Sequence, residues 1–212
     1  MNWACIAPQT SVLAACPAPA GWFSPDEQAR CARFTAERRQ REFAAGRWLA
    51  RLLLARAGAG EPAILRLTQD GAGRCLAPEP WRLSISHSGA WVGVVVSDDV
   101  PVGLDLQVES PTRDWSAMAT FAGLLPCPDA AYFYRHWTLA EAWLKSHADI
   151  GSLSALRGLR WQADPAGPAL QGRLDQLHWA FVGASTPVWV SELLPGALQP
   201  DAGQRWSPLS AA

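Results

Sequence analysis

Asp105 and Gln107 stand two apart in the run Val102-Gly103-Leu104-Asp105-Leu106-Gln107. The alternation predicts a half-buried strand, and a period of two puts both polar side chains on one face. Two readings fit that face. It is a polar edge turned to solvent, or it offers oxygen ligands to a hard cation such as Mg²⁺, which takes one or two carboxylates and completes its shell with water and substrate phosphates. Glu141 and Lys145 stand four apart in a segment of helical periodicity, the spacing of an ordinary surface ion pair. Trp137, Trp143 and Leu144 leave that segment little room for a purely solvated face. In Ser84-Ile85-Ser86-His87-Ser88-Gly89 a serine adjoins a histidine. The nucleophile elbow G-x-S-x-G is absent, and sequence neighbours do not by themselves make a triad, so a serine hydrolase is disfavoured. His87 also reads as a structural histidine in a hairpin. Gly71-Ala72-Gly73 is followed by Leu76 where a dinucleotide fingerprint has glycine, with no helix pattern behind it.

Arginine is unevenly placed. Between residues 30 and 56 lie Arg30, Arg33, Arg38, Arg39, Arg41, Arg47, Arg51 and Arg56, against Glu37 and Glu42. Over the whole chain 18 basic residues nearly cancel 19 acidic ones, which argues against wholesale binding to nucleic acid or membrane. A dense arginine segment in a neutral protein points to a local anionic ligand.

The elements that must position these residues follow from pattern. Residues 1–23 read as an extended, Ala- and Pro-rich lead-in. Ser24-Pro25-Asp26-Glu27 is a helix start, with a capping serine, proline at the first position and glutamate completing a capping box. Helix is predicted through the arginine segment to Gly58, strands over 82–96 with a turn at Ser88-Gly89-Ala90, a strand over 102–107, and a helix over 129–146. Strands are predicted again at 156–161, 177–184 and 187–193, and the Pro/Gly/Ala-rich tail after Pro195 reads as loosely held. The order suggests an α+β protein of two comparable halves. With 212 residues and 49% hydrophobic content, a sizeable core is expected.

The five cysteines are scattered, odd in number and without zinc spacing, as expected of reduced thiols in the cytoplasm. Leu13-Ala14-Ala15-Cys16 resembles a lipobox. No Lys or Arg precedes Arg30, and Pro8 and Gln9 interrupt the apolar stretch, so it is not expected to serve as a secretory signal. No run approaches the roughly 20 apolar residues of a membrane span.

Three segments in order resemble the Sfp-type 4′-phosphopantetheinyl transferases: S-I-S-H-S-G-A-W-V-G-V-V-V-S at 84–97, V-G-L-D-L-Q at 102–107, and F-Y-R-H-W-T-L-A-E-A-W-L-K at 133–145. The runs S-P-D-E-Q-A-R-C-A-R-F and R-E-F-A-A-G-R-W-L-A-R are similar to that family's N-terminal helices. The resemblance covers about Ser24 to Leu156. It implies one transferase domain over 1–212, built as a pseudo-symmetric pair of halves (1–100 and 101–212), each a small sheet packed with helices, with coenzyme A in the cleft between them. It implies a cytoplasmic monomer that moves 4′-phosphopantetheine from coenzyme A to a serine of an acyl or peptidyl carrier protein, releasing 3′,5′-ADP with Mg²⁺ as cofactor. In the same way it assigns Arg30, Arg41, Arg74, Ser86 and His87 to coenzyme A. Asp105, Gln107 and Glu141 fall to the metal, and Asp105, Glu141 and Lys145 to catalysis.

The sequence departs from the family pattern in three places. Gln107 stands where glutamate is common, Ala140 replaces the lysine before Glu141, and the stretch from Lys145 to Leu153 lacks the first glycine of K-x-x-G-K-G-L and is one residue longer. These changes motivate the alternative of a non-catalytic homologue that binds coenzyme A or a carrier protein.

Overall fold

The computed structural model describes residues 1–18, 21–147, 157, 159–201 and 203–209. Two compact units emerge. The first comprises Met1–Pro101 with Pro187–Gln199, and the second Val102–Thr186 with Pro200–Ala212.

The first unit begins with β1 (Asn2–Pro8) and α1 (Gln9–Ala14), where an extended lead-in was expected. Ala4, Cys5, Ile6 and Ala7 are almost fully buried, and β1 lies inside the sheet, antiparallel to β5 (Trp91–Ser97). Small residues and the flanking proline disguise a strand buried on both faces, which shows no alternation. The arginine segment forms two helices, α2 (Pro25–Ala32) and α3 (Glu37–Arg56), after the expected capping box at Ser24 and Glu27. Two short strands, β2 (Thr68–Gln69) and β3 (Cys75–Leu76), pair as a hairpin. Then β4 (Arg82–Ser88) and β5 form a hairpin over a two-residue turn, in which Gly89 adopts the positive φ of 57° that such turns require.

The second unit opens with β6 (Gly103–Val108), followed by α4 (Trp115–Ala122) and α5 (Ala130–Ser146). The segment 129–146 is helical as its periodicity predicts; α4 was not anticipated. Strands β7 (Arg160–Ala163), β8 (Ala169–Leu174) and β9 (Leu177–Val182) follow. The predicted strand at 156–161 partly lies outside the described residues. The run 187–193 becomes a two-residue strand, β10 (Val188–Trp189), and a 3-10 turn at Ser191–Leu193, both in the first unit. The tail is not loose over β11 (Gln204–Leu209), which pairs with β8 on one side and β7 on the other. A segment poor in side-chain pattern is ordered here through backbone pairing.

Sheet order is β10-β1-β5-β4 in the first unit and β6-β9-β8-β11-β7 in the second. The fold is mixed α+β. Helix α3 packs on the first sheet around a core that includes Trp48, Leu49, Leu53, Val92 and Val94, and α5 packs on β6 and β9. Among the described residues no helix is long and apolar enough to cross a membrane.

His136 on α5 marks a pH limit of the fold. It is buried, stacked 4.0 Å from Tyr132, and its Nδ1 has no hydrogen-bond partner among the described residues. Burial, with Arg135 and Arg160 nearby, pushes its pKa from 6.5 to about 4. The unfolded chain therefore takes up a proton between those values and the native state does not. Stability should be complete above pH 6.5 and decline as pH falls toward 4, by at most roughly 3 kcal/mol. His136→Phe keeps the ring and should flatten that decline in urea melts run across this range.

Candidate functional site

The second unit gathers four of the chemistry-bearing residues. Gly103 and Asp105 share the face of β6 that α5 covers. A Cβ on Gly103 would stand 1.9 Å from the Ala142 carbonyl oxygen, so only glycine lets α5 lie this close. That approach brings Lys145 and Glu141 to Asp105. Lys145 Nζ lies 2.6 Å from Asp105 Oδ1 and donates to the Leu104 carbonyl at 3.2 Å. Asp105 is 3% exposed, so the expectation of a half-exposed residue on an open strand face is corrected. Lys145 engages Asp105 across the helix–strand contact.

Glu141 is one helical turn before Lys145. Burial, followed by the Asp105 charge, pushes its carboxyl above the usual range, and Lys145 offsets part of this. A second carboxylate beside a buried one makes a place where a cation is favoured. Gln107 donates from Nε2 toward Asp105 Oδ2 at 3.4 Å, while its Oε1 accepts from Arg113 Nη1 at 2.7 Å. Arg113 was not singled out from the sequence, because it lies in a turn outside any periodic segment. No group of three or more His, Cys, Asp or Glu residues suited to a metal occurs among the described residues. A pair of carboxylates nevertheless suits Mg²⁺, which often takes one or two protein carboxylates and leaves the other positions to water and phosphate.

The first unit places the remaining candidates. Arg30 donates to Gln69 Oε1 at 2.9 Å, and Gln69 Nε2 donates to the Gly73 carbonyl at 3.0 Å. The β2–β3 hairpin thus ties Arg30 to the neighbourhood of Arg74, whose Nε donates to Asp70 Oδ2 at 2.7 Å. Arg41 lies elsewhere, lining a cavity of about 370 Å³ with Gln9, Thr10, Glu37, Arg38 and Ala90. Ser86 is buried on β4. His87, next along the strand, has Nδ1 3.6 Å from Glu42 Oε2. Glu42 is itself 3% exposed and paired with Arg38 at 2.8 Å and Arg39 at 2.9 Å. The i+4 and i+3 spacing of these arginines was visible in the sequence; the reach to His87 was not.

Two arginines have structural tasks. Arg51 grips Glu27 through Nη1 at 3.1 Å and Nη2 at 2.6 Å, and Arg47 donates to Cys75 Sγ at 2.7 Å. Burial raises the Cys75 thiol to about 11 despite Arg47. The departure after Lys145 falls on residues 148–153, outside the described residues.

Residues 26–97 match the family model of the 4′-phosphopantetheinyl transferase N-terminal domain. The chain is 28% identical over 165 residues to the 4′-phosphopantetheinyl transferase HetI of Nostoc sp., covering 71% of this chain and 69% of that protein. It is 32% identical over 109 residues to the 4′-phosphopantetheinyl transferase AcpT of Salmonella typhimurium, covering 46% of this chain and 56% of that protein. The chain is thus similar to 4′-phosphopantetheinyl transferases, both in the domain match over residues 26–97 and in these two relatives.

Two outcomes test this geometry. Lys145→Ala leaves a buried carboxylate without its ammonium, and denaturant melts should show a loss of about 3 kcal/mol, where a surface pair would give at most about 0.5 kcal/mol. Gly103→Ala forces α5 away from β6 and should cost about 3 kcal/mol or more, while the smaller change Ala142→Gly should be far milder, at about 1 kcal/mol.

Proposed function

We propose that this chain moves 4′-phosphopantetheine from coenzyme A to a serine of an acyl or peptidyl carrier protein and releases 3′,5′-ADP. The observation that carries this reading is the cluster of Asp105, Glu141 and Lys145, built by β6 and α5 in a chain similar to these transferases. Asp105 and Glu141 would hold Mg²⁺, which when bound supplies positive charge to the pyrophosphate oxygens. Lys145 sits beside these carboxylates, where its ammonium stabilises charge that grows on the phosphoryl group. Glu141 is also the candidate base, acting directly or through a water. It takes the proton of the carrier serine as that oxygen bonds to the β-phosphorus, and the bond from that phosphorus to the ADP oxygen breaks.

Arg30, Arg41, Arg74, Ser86 and His87 would hold the phosphates of coenzyme A. Support comes from the hairpin that fixes Arg30 and Arg74 and from the Glu42 carboxylate facing His87. The two units, each a sheet with one long helix on it, would be the halves of a pseudo-symmetric enzyme acting as a monomer. All five cysteines are free thiols, which agrees with a reducing cytoplasm.

The test is direct. Incubated with coenzyme A, Mg²⁺ and a panel of apo carrier proteins, the chain should add about 340 Da to at least one, the phosphopantetheinyl mass expected for this phosphoryl-transfer class. Asp105→Asn should abolish the shift with the circular dichroism spectrum retained, and dephospho-coenzyme A should bind more weakly than coenzyme A in calorimetry. Coenzyme A binding with no mass shift on any carrier would identify a non-catalytic homologue instead.

A further inference from the structure

Gln107 is held from both ends. Arg113 donates to its Oε1 at 2.7 Å, and its Nε2 donates toward Asp105 Oδ2 at 3.4 Å. A guanidinium has donors and no acceptor, so the amide oxygen must face Arg113 and the amide nitrogen must face Asp105. Arg113 is itself fixed. Its backbone N–H bonds to the Ser110 carbonyl at 3.2 Å, and its carbonyl accepts from Trp115 at 2.9 Å. Its guanidinium lies 5.6 Å from the centre of the Tyr134 ring. Tyr134 is buried, accepts from the Ser110 N–H at 2.9 Å and stacks on His178.

We propose that Arg113 is a positioning residue: it draws the Gln107 carbonyl away from Asp105, so that the divalent-cation site rests on Asp105 and Glu141 and Gln107 serves it as a hydrogen-bond donor. The proposal rests on the reading of those two carboxylates as the cation-binding pair. A metal ligand must offer a lone pair, and an amide nitrogen offers none because its electrons are delocalised into the carbonyl. Gln107 therefore orients Asp105 from one side while Lys145 holds the other oxygen at 2.6 Å. A glutamate at 107 would set a third carboxylate against Asp105 with no donor to offer it. The amide at 107 and the arginine at 113 thus form one device, in which the lost negative charge is exchanged for a fixed orientation.

Mn²⁺ titrations read by electron paramagnetic resonance, in the presence of coenzyme A, test this on four proteins: wild type, Arg113→Met, Gln107→Ala and the double variant. Methionine keeps the packing over Tyr134 and removes the donors. Arg113→Met should tighten Mn²⁺ binding by about tenfold, because the released Gln107 oxygen can then turn inward. In the Gln107→Ala background the same change should gain no more than about threefold, the effect of a lost positive charge alone. Gln107→Ala by itself should change affinity by less than about threefold, and Arg113→Lys, which keeps a donor, should behave as wild type. Equal gains in both backgrounds would overturn the proposal, as would a weakening beyond about tenfold in Gln107→Ala. Wild-type affinity no better than that of Asp105→Asn with Glu141→Gln is a different failure; it removes the cation site itself, and the proposal with it. A further measurement needs no Arg113 variant. The side-chain amide of Gln107, assigned in ¹⁵N NMR by its absence in Gln107→Ala, should exchange slowly with solvent and stay protected when Mg²⁺ is added. Loss of that protection on adding Mg²⁺ would show the amide turning to the metal and would also overturn the proposal.

Discussion

A carboxylate that is 3% exposed has lost most of its hydration, and Asp105 recovers that loss from the Lys145 ammonium at 2.6 Å and the Gln107 amide. The arrangement depends on contact between α5 and β6 closer than any side chain at residue 103 would permit. The same contact that packs the second unit therefore brings its ionisable groups together. Glu141 shows the consequence, since its carboxyl is raised by burial and by the Asp105 charge in a site where one more cation would be favourable. Such a constellation is costly as structure alone.

The first unit uses buried charge differently. Glu27 caps α2 and also receives the Arg51 guanidinium, which lies 4.8 Å from the centre of the Trp22 ring. This bidentate pair fixes α2 against α3, and with it the segment that carries Arg30. Glu42 plays a comparable part near the N-terminal end of α3, binding Arg38 and Arg39 and facing His87 on β4. An arginine-rich segment thus divides into residues that build the unit and residues left at its polar surface. That division could not be read from charge density.

The sequence similarity and the site geometry fall at different places. The family model covers residues 26–97, in the first unit, whereas the carboxylate pair and Lys145 belong to the second. The similarity to HetI covers 71% of this chain, and at 28% identity most side chains differ. The departures at Gln107 and Ala140 fall beside Asp105 and Glu141, and for Gln107 the structure supplies a physical context in Arg113 and Tyr134.

Much of this was legible in the chain. The capping box at Ser24, the hairpin at Ser88-Gly89-Ala90, the strand that carries Asp105 and the helix that carries Glu141 and Lys145 all follow from local rules of capping, turn geometry and periodicity. The same rules missed β1, whose small buried residues do not alternate, and β11, which is a strand through its partners on both sides. The sequence by itself determined which residue types stand where, and so the chemistry available to them. Only the tertiary structure decided their partners. Lys145 pairs with a carboxylate 40 positions away, and Gln107 turns its oxygen to Arg113. The physical reason is that burial and pairing depend on the distance between elements. Across β6 and α5 that distance is set by the absence of a side chain at Gly103, whose effect appears only when the helix lies on the strand.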